Sequence, residues 1–364
     1  MDRTRLRLVK RHIMSWGTGT SQPVSVPAGT VATIALADRT HLQAVLESGI
    51  AGADTVILAP GADDEATGVV GYAGSLSEPG ADLAVGDDFF LQIQDYASSR
   101  FMSVLGPTLL RITCGDDLDA FLADADTAFT SGVFPDFAIT PPVRITDLPA
   151  LGAGPAEGGP MLRLYVGPDG GISTSPGGVP LAQVGAPLDE IVAAWEQANA
   201  ASDAPCAVSL GAVVPEEERS AALLSRPFIG RYLVALEALR MMTANEVTGV
   251  RVSGFGGRLN PDLGVRTDAC DFRDPQLPMV LWTDDQAYVY DTAGRVFAMD
   301  RQSAMAVECL IASGDSDIAA EFVPPAALTR VGGFLTDRGV RLGTTEAEHG
   351  VRPGTAEDES AGAR

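Results

Sequence analysis

Residues that could perform catalysis or bind a metal are few in this sequence. Histidine is the usual general acid or base near neutral pH, and histidines or paired cysteines are the usual ligands of zinc. The chain contains three histidines and four cysteines: His12, His41, His349, Cys114, Cys206, Cys270 and Cys309. No C-x-x-C pair occurs, and only His41 lies in a patterned segment, where we interpret it as a solvated residue in the first turn of a helix. We therefore predict buried, reduced thiols, no metal, no cofactor and no catalytic residue.

A glycine-rich segment, Ser253–Arg258, is the main candidate for phosphate binding. Its backbone N–H groups could surround a phosphate if the segment followed a strand and opened a helix. It lacks the Gly-Lys-Ser/Thr of a P-loop, and the Leu259-Asn260-Pro261 that follows predicts a turn. We interpret the segment as a sharp turn between domains. Gly-x-Ser-x-Gly and His-Glu-x-x-His motifs do not occur in the sequence, which offers no recognised catalytic constellation.

The charge balance argues against two classes of partner. Asp and Glu number 48 against 25 Lys and Arg, which gives a formal net charge of -23. Such a charge repels nucleic-acid phosphates and anionic lipid surfaces. The sequence also has no apolar run of the roughly 18 residues that a spanning helix needs, and no apolar segment of the secretory type follows the basic start. We expect a cytoplasmic protein with no nucleic-acid and no membrane partner.

Hydrophobic periodicity and punctuation by proline and glycine divide the chain into segments. A strand, helix and strand pattern from Val31 to Leu58 predicts a βαβ-like opening, and a second such unit begins at Thr108. The predicted order is a flexible basic leader at 1–26, an N-terminal α/β domain at 27–140, a linker or surface loop at 141–160, a central α/β region at 161–277, a C-terminal domain at 278–343 and a disordered tail at 344–364.

Local patterns predict individual elements within these segments. Pro168-Asp169-Gly170-Gly171 between two apolar runs is a strong hairpin signal. Periodicity further predicts a helix at 188–201, a strand at 206–214, a helix at 216–242 and a strand at 249–253. The aromatic run Phe89–Tyr96 could form a core strand or line a peptide groove, and we favour the core.

The C-terminal block carries the clearest pattern, three short strands followed by three helices. The strands are Met279–Trp282, Ala287–Tyr290 and Arg295–Met299, each rich in aromatic and β-branched residues. Asp300 or Ser303 caps the first helix, a short helix spans Ile318–Phe322, the third begins at Pro325, and Val340–Leu342 forms a brief last strand. The fold class is therefore a mixed α/β (α+β) N-terminal and central region with a C-terminal winged-helix βββααα domain.

This block resembles the PqqD-like domain, the winged-helix RiPP recognition element that binds leader peptides of ribosomally made, post-translationally modified peptides. The resemblance lies in Tyr288-Val289-Tyr290, in Gly294–Asp300, where the family has Gly-arg-val-x-x-Leu-Asn, and in Phe334-Leu335-x-x-x-Gly339. Met299-Asp300 in place of Leu-Asn and a shortened second helix depart from the pattern.

With Phe89–Gln92, Leu105-Gly106-Pro107 and Val252–Arg258, the whole chain is similar to the daptide-biosynthesis RiPP recognition proteins of actinobacteria. The resemblance implies a non-catalytic protein that captures a precursor peptide. It would present this peptide to separate enzymes, namely an oxidative decarboxylase, an aminotransferase and a methyltransferase.

The resemblance also implies where the leader peptide binds. An extended peptide would add to the third strand and pack against the third helix. The implied peptide-binding residues are Arg295, Val296, Phe297, Ala298, Met299, Leu328, Arg330, Val331 and Leu335. Because side chains alternate along a strand, Val296 and Ala298 face away from Phe297 and Met299, and several of the nine must belong to the core. Arg295 and Arg330 could pair with acidic residues of the leader.

Two other functions remain open from the residues alone. A winged-helix transcription regulator has a similar size and helix content, although the third helix carries only Arg330 and Arg338 as basic residues. An enzyme with an unrecognised active site within residues 31–261 is the other alternative, since that region has no explained purpose.

Overall fold

The computed structural model describes residues 2–21, 24–61, 64, 67–154 and 159–343, so the predicted disordered tail at 344–364 lies outside the described residues. The protein is a mixed α/β protein with a large, mostly parallel sheet and a separate antiparallel sheet. Twelve α-helices accompany the two sheets in the described part of the chain: α1 (Arg3–Thr18), α2 (Leu42–Glu47), α3 (Tyr96–Ser99), α4 (Gly115–Ser131), α5 (Gly159–Leu162), α6 (Leu188–Ala200), α7 (Glu216–Leu224), α8 (Ile229–Ala244), α9 (Cys270–Arg273), α10 (Arg301–Ser313), α11 (Ser316–Ala319) and α12 (Pro325–Thr336).

The larger sheet has ten strands in the order β10-β9-β8-β1-β2-β3-β4-β5-β6-β7. Its strands are β1 (Thr33–Leu36), β2 (Val56–Pro60), β3 (Val69–Gly74), β4 (Asp82–Val85), β5 (Phe89–Asp95), β6 (Thr108–Arg111), β7 (Val143–Ile145), β8 (Arg163–Val166), β9 (Gly171–Ser173) and β10 (Ala182–Gln183). Strands β8-β1-β2-β3 pair in parallel, as do β5-β6-β7, whereas β4 is antiparallel to both its neighbours.

This sheet curls until its distant strands approach each other. Strands β8 and β7 stand seven positions apart in the sheet order, a separation of about 34 Å in a flat sheet. Yet Arg163 at the start of β8 donates from Nη2 to Oδ1 of Asp147, just after β7, over 2.8 Å. Both side chains are 5% exposed or less. The sheet therefore bends towards closure, with an open seam between β7 and β8.

Helix α1 packs into this curled sheet, so the prediction of a flexible leader at 1–26 is wrong over residues 3–18. Val9, Ile13 and Trp16 join one apolar cluster with side chains from β1 to β6 and β8. The Trp16 indole donates to the Leu164 carbonyl over 2.9 Å. A Cβ on Gly17 would lie 2.8 Å from Leu109 Cδ1, which shows how closely the helix approaches β6. The helix is ordered because its apolar residues, four and three positions apart, form one buried stripe.

His12 on α1 provides a pH-dependent test of this packing. Its ring is 5% exposed, and Nδ1 lies 2.8 Å from Thr33 Oγ1. Burial, and then the charge of Arg11, lower the pKa of His12 to about 4. In the unfolded chain His12 takes up a proton below about pH 6.5, whereas in the folded protein it does so only near pH 4. The free energy of unfolding is therefore unaffected by His12 above pH 6.5. Between pH 6.5 and pH 4 it falls by about 1.4 kcal/mol per pH unit, and by at most about 3 kcal/mol in total.

Urea unfolding from pH 7 to pH 4 measures this effect, with His12→Asn as the matched variant. We expect the stability difference between the wild type and His12→Asn to shift against the wild type on acidification. A difference that does not change with pH would contradict the burial of His12.

The predicted linker at 141–160 is also wrong where the structure describes it. Residues 143–145 form β7, which pairs with β6, and Leu148–Leu151 form a 3-10 helix in which Leu151 is fully buried. The boundary it implied does not separate two domains, because β8 pairs directly with β1 through Ile34 and Leu164. Pro149 is buried in the 3-10 helix, and Gly152 ends it with φ of 95°.

The central region confirms some predictions and corrects others. The hairpin between β8 and β9 is present, and α6 matches the predicted helix. Residues 206–214 hold a 3-10 helix, Ala207–Ser209, and no strand. The helix predicted at 216–242 is two helices, α7 and α8, because Pro227 between them disfavours helical backbone.

The second sheet has the order β11-β12-β13-β14 and is wholly antiparallel. Its strands are β11 (Arg251–Val252), β12 (Met279–Trp282), β13 (Ala287–Tyr290) and β14 (Val296–Met299). Strands β12 and β13 occur where predicted, and β14 begins one residue later. The fourth strand, β11, lies within the strand predicted at 249–253. Residues 340–342 form no strand, contrary to the prediction.

The second sheet packs against α10 and α12 on one face. On the other face it packs against α4 and α8, which belong to the part of the protein that contains the ten-stranded sheet and is called the larger domain below. Val280, Val289 and Trp282 belong to the cluster that contains α10 and α12. Met279, Leu281 and Tyr290 belong to the cluster that contains α4 and α8. The first and third predicted helices are present: Asp300 caps α10 by accepting from Ser303 N, Gly314 ends it with φ of 69°, and α12 begins at Pro325. The second, predicted at Ile318–Phe322, is instead α11 at Ser316–Ala319, and residues 320–322 form turns. A specific family fold for this unit does not follow from the element order alone.

Candidate functional site

The predicted peptide-binding strand, β14, is the last strand of its sheet. In the described part of the chain it pairs with β13 alone, through Ala287 opposite Met299 and Tyr290 opposite Val296. Its second side therefore presents main-chain groups to which another strand could bind.

The hairpin geometry shows which groups these are. Asp291 N donates to Arg295 O over 3.0 Å, which makes residues 291 and 295 a hydrogen-bonded pair. Hydrogen-bonded and non-hydrogen-bonded pairs alternate along an antiparallel ladder. Phe297 and Met299 consequently bond towards β13, whereas the N–H and C=O groups of Val296 and Ala298 point to the open edge.

The side chains of β14 divide between two faces, as the alternation predicts. Phe297 and Met299 are half-buried against the cluster around α10 and α12. Val296 and Ala298 are exposed on the opposite face. The two residues whose backbone is open are therefore also the two whose side chains are free of the core.

Two phenylalanines and two arginines connect β14 to α12. The rings of Phe297 and Phe334 meet edge to face with centroids 6.1 Å apart. The Arg295 guanidinium lies 5.6 Å from the centroid of Phe297, and that of Arg338 lies 3.7 Å from the centroid of Phe334. Arg295 Nη1 also donates to Arg338 O over 2.8 Å. We call these four residues the Arg–Phe band; it sets the position of α12 beside the open strand.

Three of the predicted binding residues on α12 belong to the core. Leu328, Val331 and Leu335 are 7% exposed or less and pack in the cluster beneath the sheet. They support β14 from behind and have no surface for a peptide, which corrects their assignment. The exposed residues of α12 are the intervening ones, including Arg330, whose Nη2 lies 3.4 Å from Ser303 Oγ, and Phe334, which is 38% exposed.

The charge around β14 is less acidic than that of the chain as a whole. Arginines at 295, 301, 330 and 338 accompany carboxylates at 291, 300 and 337 and, in the turn beside the Met299 end of the strand, at 284 and 285. Asp291 accepts from the Arg295 backbone over 2.8 Å and from its Nε over 2.7 Å. Hydrogen bonds from the Ser303 hydroxyl and backbone lower the pKa of Asp300, which they hold as the helix cap. Both carboxylates are thereby occupied within the fold.

The glycine-rich segment is a packed turn, as interpreted, and does not form a phosphate cradle. Its amides are used internally: Gly254 N donates to Gly257 O, and Gly256 N donates to Phe129 O. A Cβ on Gly256 would lie 2.4 Å from Gly132 N, which leaves no room for a ligand there.

Other chemistry-bearing residues do not assemble into a centre. Among the described residues, no group of three or more His, Cys, Asp or Glu side chains is placed to hold a metal ion. His41 is partly exposed and its Nε2 lies 3.1 Å from Pro168 O. Cys206 and Cys309 are buried as predicted, whereas Cys114 is exposed and Cys270 is intermediate. Within the described ranges, no helix is both long enough and apolar enough to cross a bilayer.

Comparison of the chain with models of protein families, with curated proteins and with solved structures finds no match in any of the three.

Proposed function

We propose that this protein captures an extended precursor peptide by strand addition at β14 and acts as a recognition factor in the biosynthesis of a ribosomally made, modified peptide. The observation that carries the proposal is the open edge at Val296 and Ala298 beside the Arg–Phe band. The captured leader peptide would be presented to modifying enzymes, an oxidative decarboxylase, an aminotransferase and a methyltransferase, in the cytoplasm. The protein itself would be non-catalytic.

The energetics of strand addition indicate which residues give affinity. Two open residues offer at most four main-chain hydrogen bonds, each worth about 0.5–1.5 kcal/mol net. A dissociation constant of 1 μM requires about 8 kcal/mol, so side chains must supply much of the remainder. Phe334 and Val296 are the large exposed apolar groups beside the edge. A leader with an apolar residue on each face of its strand fits this arrangement.

The charges around β14 favour a particular orientation and composition of the bound peptide. The arginines around β14 favour an acidic segment, whereas the net charge of -23 disfavours approach of an acidic peptide elsewhere. Exposed ion pairs contribute only about 0–1 kcal/mol each, so they select the register more than they hold the peptide. Binding should weaken moderately as salt rises.

Val296→Pro tests the open edge directly. Proline removes the outward N–H of residue 296, leaves the hydrogen bonds to β13 intact and is tolerated on edge strands. We expect binding of a fluorescein-labelled leader peptide, taken from the small open reading frames beside the gene, to weaken about tenfold or more. Fluorescence polarisation at moderate salt, with scrambled peptides as controls, measures the change.

Val296→Thr is the matched control, because it keeps the N–H and the β-branched shape. Equal binding by Val296→Pro and Val296→Thr would contradict strand addition at this edge. Failure of the wild type to bind any leader peptide would contradict peptide capture altogether.

The alternative of a winged-helix transcription regulator receives less support. A recognition helix needs a basic exposed face, but Arg330 is the one arginine on α12, and the guanidinium of Arg338, just after the helix, stacks on Phe334. An enzyme within residues 31–261 also receives less support, because the buried polar cluster there, Arg163 with Asp147 and Ser209, is hydrogen-bonded within the fold.

A further inference from the structure

The largest concentration of exposed apolar surface lies far from β14 in sequence, on the connection between α3 and β6. Phe101 is 85% exposed, Leu105 78%, Met102 51%, and Phe90 on the adjoining strand β5 43%. These are four of the twelve large apolar side chains exposed in the described part of the chain. We call them the apolar loop patch. The expectation that the run Phe89–Tyr96 packs in the core is correct for Phe89, Leu91 and Tyr96, but not for Phe90.

The loop that carries the patch is held in place by buried amide side chains. Gln92 and Gln94 on β5 are 8% exposed or less, and the Nε2 of each lies within 3.5 Å of Ser103 O. Gln92 Oε1 accepts from Leu105 N over 2.7 Å. Val104, between the exposed residues, packs against the apolar cluster that contains α4 and α8. The loop is thus anchored on its inner side, and its backbone at Ser103 and Leu105 does not have to be ordered when a partner binds.

The area of the patch matches the requirement of a stable dimer. At ~150–200 Å² for a fully exposed side chain of this size, the four side chains present on the order of 400–500 Å² of apolar surface. A standard interface covers about 800 Å² on each partner, of which ~56–65% is apolar. The apolar loop patch therefore supplies about the apolar core that one such interface needs.

The charge distribution favours a second copy of this chain as the occupant. Two copies, each with a net charge of -23, repel one another over most of their surfaces. Residues 96–115, which carry Phe101, Met102 and Leu105, contain no Asp or Glu, whereas Asp87 and Asp88 precede Phe90. A two-fold interface places the same surface on both partners, so the acid-free loop meets its own copy without charge repulsion, and the two aspartates lie at the margin beside Phe90.

We propose that the apolar loop patch joins two copies of this chain about a two-fold axis, with Phe101 and Leu105 of each copy packed against the same residues of the other. The proposal does not rest on peptide capture, since Phe90 of the patch and β14 belong to different sheets.

Sedimentation velocity of the full chain from about 1 to 100 μM tests this proposal. We expect the wild type to sediment as a dimer at the upper concentrations. The double variant Phe101→Ser with Leu105→Ser should remain a monomer throughout, with at least about a tenfold weaker dimerisation constant. Higher salt should strengthen the wild-type dimer, because it screens the repulsion between the two acidic chains.

A control variant removes two exposed apolar side chains elsewhere on the surface. Val133 and Leu224 are 61% and 65% exposed, and their replacement by Ser should leave the dimer intact. A wild type that stays monomeric up to 100 μM overturns the proposal and leaves the patch to a different partner. Dimerisation that survives Phe101→Ser with Leu105→Ser but is lost in Val296→Pro also overturns it, and would place the interface at β14.

Discussion

Replacement of Asp271 by Ala should destabilise the protein by about 3–5 kcal/mol, because it leaves the Arg258 guanidinium buried without its counter-charge. The two side chains are each 1% exposed, and they form a bidentate pair with N to O distances of 2.9 and 3.0 Å. Arg258 Nε also donates to Gly264 O over 3.0 Å. The guanidinium therefore has no route to water when Asp271 is removed.

This pair matters beyond its own energy because it continues into α10, which packs against the second sheet. Arg258 Nη1 lies 3.3 Å from Ser253 Oγ, and this hydroxyl donates to Glu308 on α10 over 2.5 Å. Glu308 in turn accepts from Leu259 N and Asn260 N over 2.8 and 2.6 Å. The network joins the glycine-rich turn, α9 and α10, so its loss should loosen the second sheet from the larger domain.

Equilibrium unfolding in urea measures the effect, and the double variant Arg258→Met with Asp271→Leu provides the control. Replacement of both charges by apolar groups removes the unpaired ion, and its cost should be well below that of Asp271→Ala. A cost of less than about 1 kcal/mol for Asp271→Ala would show that water reaches Arg258 in solution.

Replacement of Trp16 by Ala should also cost about 3–5 kcal/mol, through the cavity left in the curled sheet. Trp16 is 3% exposed, lies 6.3 Å from the Tyr165 ring between centroids, and bonds to Leu164 O. Trp16→Phe keeps most of the volume and loses only the hydrogen bond, so it should cost about 1–2 kcal/mol. Urea unfolding of the two variants separates packing from hydrogen bonding. Near-wild-type stability of Trp16→Ala would mean that α1 does not dock on the sheet in solution.

The elements that sequence patterns predicted well are those with local signals. Strands β12 and β13 are four-residue runs of apolar, aromatic and β-branched residues, and their boundaries agree residue for residue. The cap at Asp300 and the stop at Gly314 depend on neighbouring residues alone. The alternation of β14 likewise follows from the period of a strand.

The elements that sequence patterns missed depend on distant contacts. Helix α1 had usable signals, since Asp2 caps it and Gly19 ends it, but its basic residues and the glycines after it obscured the stripe at Val9, Ile13 and Trp16. The apolar run at 206–214 forms a 3-10 helix followed by turns, and most of its residues are buried. A pattern of hydrophobicity alone cannot distinguish such a segment from a strand.

The candidate site was predicted only in part for a related reason. Phe334 lies beside the open strand because its ring packs against Phe297 on β14. This contact joins two elements, so the sequence of α12 alone does not reveal it. Leu328, Val331 and Leu335 form the apolar stripe that helical periodicity does show, and such a stripe faces the core.

The contact of α1 with β8 also has a consequence for the order of synthesis. The hydrogen bond from Trp16 to Leu164 spans 148 residues, so the helix leaves the ribosome long before β8 exists. At ~5–20 residues per second, the Trp16 indole waits on the order of 7–30 s for its acceptor. Strands β1 to β6, which also pack against the helix, are synthesised within that interval. The larger domain can close only after β8 has emerged, which makes its folding a late event in translation.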